Sequence, residues 1–224
     1  MIKIAALLAL SCFTLVAFAH DISADNALFV KSLVGPAPWP FMYLGAKHMF
    51  TGYDHLLFLA AVLFFLYRPR DILVYISLFT LGHSITLLLG VLANWQLSGQ
   101  LVDAIIGLSI VYKAFENMNG FALLGRLKPN TRLAVMVFGL FHGLGLATKL
   151  QDYMVSSEGR LINLLSFNIG VELGQLLALA VIFSVLLLWR RQTDFARHAF
   201  AVNSVLLCAG LVLFGHQFTG YLLA

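Results

Sequence analysis

The sequence predicts an all-α polytopic membrane protein, with six transmembrane helices following a cleaved signal peptide, and three observations carry that expectation. Of the 224 residues, 61% are hydrophobic and only 11% are charged, whereas ordinary soluble domains carry about 25% charged residues. The apolar residues gather into runs of about 20, the length that crosses a hydrocarbon core as a helix. Lys and Arg concentrate in alternate turns between those runs, as expected of cytoplasmic loops. No room remains for a sizeable extramembrane catalytic domain, so the function belongs within the bilayer or at its faces. The formal net charge of +4 then has a topological cause and does not imply nucleic acid. Cys12 and Cys208 both lie in apolar runs, which leaves neither a disulfide framework nor a thiolate metal site.

Residues 1–19 read as the signal peptide: a basic start at Lys3, an apolar core from Ile4 to Phe18, and the small-x-small end Ala17-Phe18-Ala19. The alternative is an uncleaved seventh helix. Residues 20–40 form an extracytoplasmic N-terminal segment whose Pro36, Pro38 and Pro40 argue for an irregular lead-in. The six-helix transmembrane domain fills residues 41–224, with spans at 41–67, 72–95, 101–118, 133–150, 161–189 and 200–223. Helices are required because only they satisfy their own backbone in lipid over such lengths. Arg68 and Arg70, then Arg126, Lys128 and Arg132, then Arg190, Arg191 and Arg197 mark three cytoplasmic turns. Both mature termini are therefore expected on the extracytoplasmic side. No convincing internal repeat is visible.

The informative residues are polar ones inside these spans, since a central Asp or Lys costs about 2.5–3.5 kcal/mol to insert. The first span carries His48, Asp54 and His55. On a straight helix His48 and His55 share a face but stand about 10.5 Å apart, too far for one ion. Either Gly52 breaks the helix and closes the gap, or the two rings serve successive stations along a path. His83 and Ser84 lie in the second span, His142 in the fourth, and Asn168, Glu172 and Gln175 form one stripe of the fifth. Counted from the outer ends, His55, His83, His142, Asn168 and Glu172 fall about 10–20 Å deep. Imidazole and carboxylate without thiolate suit divalent first-row ions: Ni, Co, Zn, Mn or Fe(II). His48, Asp54, His55, His83, His142 and Glu172 are thus the candidate ligands, with Asn168, Gln175 and Ser84 supporting them or lining a pathway. Glu116, near the inner end of the third span, is a candidate for metal exit, or else a solvated-end residue paired with Lys113. The competing reading is that these groups only join helices by hydrogen bonds.

The motifs His48-x5-Asp54-His55, Leu81-Gly82-His83-Ser84, Ala114-Phe115-Glu116-Asn117, Phe141-His142-Gly143 and Phe167-Asn168-x-Gly170-Val171-Glu172 resemble those of the HupE/UreJ family. Its members are bacterial membrane proteins associated with hydrogenase and urease maturation. The resemblance implies a nickel or cobalt permease-like protein of the bacterial inner membrane, with His48, Asp54 and His55 as metal ligands. The chain departs from classical members after Phe141-His142-Gly143, where no second His and no Glu follow, and so resembles a divergent branch. Nickel or cobalt is favoured, with zinc, iron or manganese fitting the same donors. The partners expected are membrane lipid, the metal ion as substrate, and either a protein partner or a second copy. The leading function is metal transport through this intramembrane site. Its rivals are an intramembrane metal-dependent hydrolase and a metal-binding assembly factor.

Overall fold

The computed structural model describes residue 33 and residues 35–127, 129–151 and 158–224, with Leu123 and Arg126 described by backbone alone. The expected signal peptide and most of the N-terminal segment lie outside the described residues, as does Lys128. All regular structure among the described residues is helical: α1 (Pro38–Thr51), α2 (Tyr53–Leu63), α3 (Pro69–Leu92), α4 (Gly99–Asn117), α5 (Thr131–Gln151), α6 (Arg160–Arg190) and α7 (Phe195–Leu223), with a short 3-10 segment at Ala122–Leu127. Among them α3, α5, α6 and α7 are long and apolar enough to cross a membrane.

The two remaining expected spans differ in instructive ways. The first is divided at Gly52, where ψ swings to 90° and the N–H turns back to the His48 carbonyl at 2.9 Å. α2 ends at Leu63, and its last carbonyls do not go unsatisfied: Arg190 of α6 donates to the carbonyls of Leu63, Phe64 and Leu66. α4 carries Asp103, Lys113 and Glu116 within 19 residues, which lowers its hydropathy. All three of these charges are paired, Asp103 with Lys149 of α5 at 2.8 Å and Glu116 with Lys113 one turn away at 2.8 Å.

The helices associate as three packed pairs, α1 with α6, α3 with α5 and α4 with α7. Each pair closes on glycine, because lipid supplies no hydrophobic drive between helices and close backbone approach must hold them together. A Cβ on Gly170 would run into the Met42 carbonyl, and one on Gly139 into that of Phe79. One apolar cluster, including Phe41, Leu44, Leu87, Leu150 and Phe167, fills one end of the bundle. Others, including Leu63, Phe64, Ile76, Leu186, Phe58 and Ile110, fill the opposite end. The polar layer lies between them.

Candidate metal centre

The break at Gly52 is what assembles the site. It brings His48 at the end of α1 back beside His55 in the first turn of α2, with ring centroids 5.1 Å apart. A straight helix would hold the two about 10.5 Å apart along its axis. His142 of α5 reaches the same point, 4.7 Å from His55, and His83 of α3 stands 6.3 Å away. Asp54 accepts or shares a proton with His55 Nδ1 at 3.1 Å. A carboxylate on one ring nitrogen fixes the tautomer and raises the basicity of the other, the usual support for a ligating histidine. Asp54, His55 and His142 are each 1% exposed.

Donor atoms of Asp54, His55 and His142 all lie within 4.8 Å of one another. Around one ion at bond lengths of about 2.1 Å, donors stand at most about 4.2 Å apart. Closing the site therefore asks for a movement of about half an ångström, within the reach of side-chain rotation. Aromatic walls limit its size: Phe58 and Phe79 lie 5.3 and 5.0 Å from the His142 ring, and Phe79 stacks on His83. His83 Nε2 has no hydrogen-bond partner among the described residues, so a fourth imidazole faces into the buried layer without one.

The other sequence candidates gather elsewhere. Ser84 donates to Asn168 Oδ1 at 3.1 Å, Asn168 donates to Glu172 at 3.3 Å, and Thr80 donates to Gln175 at 3.1 Å. These groups line a cleft of about 420 Å³ between α3 and α6. Glu172 is exposed there, and the structure does not bring it into the histidine group. Asn168 and Ser84 join two helices, as the hydrogen-bonding reading expects. Gln175, 2% exposed, is the link, since it lines both this cleft and a narrow pocket of about 10 Å³ beside His55. Glu116 is held by Lys113 and Thr131 at the far end of α4, away from the histidines.

Sequence reasoning missed the Asp103–Lys149 pair and Ser109, whose hydroxyl lies 3.5 Å from His142 Nε2. An Asp four residues inside an apolar span was the available signal for the first. Ser109 carries none, because serine is common in membrane helices.

Comparison with curated proteins and with solved structures finds no match. Residues 24–224 match the model of a protein family described as HupE / UreJ protein. The chain belongs to that family.

Proposed function

We propose that this member of the HupE/UreJ family passes a divalent transition-metal ion, nickel or cobalt before zinc, iron or manganese, across the inner membrane. The single observation that carries the reading is the convergence of His48, His55 and His142 from three helices, with Asp54 on His55, in the buried centre of an apolar bundle. Such a cluster is costly in a membrane unless it serves an ion. Neutral imidazole with one carboxylate binds borderline divalent cations and leaves hard ions such as calcium to all-oxygen sites. In this reading all six segments span the bilayer, α1 and α2 together forming the first, and the basic turns face the cytoplasm. Glu172 and its neighbours in the α3–α6 cleft receive the hydrated cation. Gln175 separates that station from the histidines, where the ion exchanges water for imidazole.

The deciding experiment is uptake of Ni²⁺, Co²⁺, Zn²⁺ and Mn²⁺ into proteoliposomes, with bound metal counted on the same preparation. Saturable uptake of Ni²⁺ or Co²⁺ that His142→Ala abolishes is the expected result. Stoichiometric binding without flux would replace transport by metal-dependent catalysis or metal delivery.

A further inference from the structure

Two of the three glycine crossings repeat each other residue by residue. In the α1–α6 pair, a Cβ on Gly45 would strike the Phe167 carbonyl, and one on Gly170 the Met42 carbonyl. In the α3–α5 pair, a Cβ on Gly139 would strike the Phe79 carbonyl, and one on Gly82 the Met136 carbonyl. These contacts superpose Met42, Gly45 and His48 on Met136, Gly139 and His142, and Phe79 and Gly82 on Phe167 and Gly170, at identical spacing. The register holds one turn further. The Thr86 hydroxyl donates to the Leu140 carbonyl at 2.7 Å, and at the matching place a Cβ on Gly174 would stand 2.8 Å from the Ala46 carbonyl.

The α4–α7 crossing is its own counterpart. A Cβ on Gly107 would lie 3.0 Å from the Gly210 carbonyl and 2.7 Å from the Phe214 nitrogen, while one on Gly210 would lie 2.9 Å from the Gly107 carbonyl and 3.0 Å from the Val111 nitrogen. The two helices that must exchange, α3 and α6, run antiparallel, because Thr80 meets Gln175 while Ser84 meets Asn168. The relation is therefore an inversion, and it pairs His48 with His142, the two rings that flank His55 at 5.1 and 4.7 Å.

The halves differ at the end of their first segments, where Asp54 and His55 have Thr148 and Lys149 as counterparts. Beyond Gly52, α2 turns off the line of α1 and Tyr53 is 36% exposed, while the far end of α2 stays held by Arg190 of α6; the counterpart of Tyr53, Ala147, is 1% exposed and lies against Gly90 of α3. We propose that residues 38–117 and 131–223 are inverted repeats around the histidine centre, and that the ion's access changes sides when the repeats exchange these conformations. Resting on the transport reading, this makes Gly52 the hinge in use and Gly145, the residue before the Leu146 that matches Gly52, the hinge in reserve: the first segment straightens along α6 while α5 bends away from α3. Exchange of unequal repeats is a general route to alternating access, and here straightening at Gly52 would also draw His55 away from His48. Gly145 suits the part, since a Cβ there would meet only side chains, those of Val102, Asp103 and Ile106 at 3.3–3.4 Å. Its packing thus does not require glycine, whereas bending the helix does.

The test places single cysteines by Tyr53→Cys and Ala147→Cys in a Cys12→Ser, Cys208→Ser background and follows maleimide labelling in proteoliposomes with and without saturating Ni²⁺. The expected result is opposite, severalfold changes: because Ni²⁺ favours the bent first segment that gathers its ligands, Tyr53→Cys speeds up as Ala147→Cys slows down. Adding Gly145→Ala should abolish the exchange while Ni²⁺ still binds, which separates it from shielding of a thiol by the metal. Parallel changes at both positions, no change at either while Ni²⁺ is bound, or an exchange indifferent to Gly145→Ala would each overturn the proposal. Absence of Ni²⁺ flux with the exchange intact would sink transport and leave the repeats standing.

Discussion

The histidine centre and the α3–α6 cleft are neighbours that share Gln175 as a wall, yet they are built on opposite principles. The centre is largely closed, with Asp54, His55 and His142 1% exposed beside Phe58 and Phe79 and with His48 half-buried at its edge. It draws its rings from four helices, so that no single segment preforms it. The cleft is open and made of hydroxyl, amide and carboxylate groups already satisfied by one another across two helices. A satisfied, wet group binds loosely and exchanges fast, whereas buried imidazoles bind tightly once water is shed. The contrast teaches a division of labour between capture and retention, and substitutions on either side can break it.

The largest effect belongs to the centre. His55→Ala removes the ring that touches the other three and should lower Ni²⁺ affinity by more than the about 10- to 100-fold that loss of an orienting partner costs, read by calorimetry on purified protein that still runs as a monodisperse species. Wild-type affinity in this variant would take the site away from the histidines. Gln175→Leu comes next. It replaces the shared wall by an apolar one and deletes a bond to Thr80 of a kind worth about 0.6–1.7 kcal/mol between membrane helices. Uptake should slow about tenfold, at about 1.4 kcal/mol of barrier per decade, with the bound stoichiometry at saturation unchanged. A loss of bound metal matching the loss of rate would merge the two regions into one site. The smallest effect is expected of Glu172→Gln, in which a neutral amide keeps the hydrogen bond to Asn168. Binding at equilibrium should hold while uptake becomes slower and less sensitive to ionic strength, since an exposed carboxylate acts through screened attraction. An affinity loss equal to that of His55→Ala would make Glu172 a ligand.

Depth was legible in the sequence and azimuth was not. Counting along each span places His55, His83, His142, Asn168 and Glu172 in one layer, but the rotation of α6 that sends Glu172 to the cleft and Gln175 toward His55 depends on where Gly170 and Gly174 meet α1. The bend at Gly52 was one of two readings the sequence left open, because a straight helix cannot bring His48 to His55 but two separate stations would not need it to. The repeat was hidden for a physical reason. Its contacts are made by glycines against backbone carbonyls, and a carbonyl belongs to every residue type, so little beyond Met, Gly, His and Phe recurs in the side chains. Hydropathy alone led to six spans, of which α3, α5, α6 and α7 are long and apolar enough to cross a membrane; α4 carries Asp103 against Lys149, and the first segment is divided at Gly52.

The interruption at Gly52 also sets an electric field. Two helix ends meet there: the C-terminal end of α1 carries about half a negative charge and the N-terminal end of α2 about half a positive one. Asp54, in the first turn of α2, opposes the positive end and leaves the negative end of α1 facing the rings. A cation is thus favoured at this point before any coordinate bond forms, and an anion is repelled. Straightening the segment would merge the two ends into one continuous dipole and remove this attraction. The same hinge that changes the site's shape would then loosen its grip, so that release is driven by backbone geometry without any ligand having to be protonated.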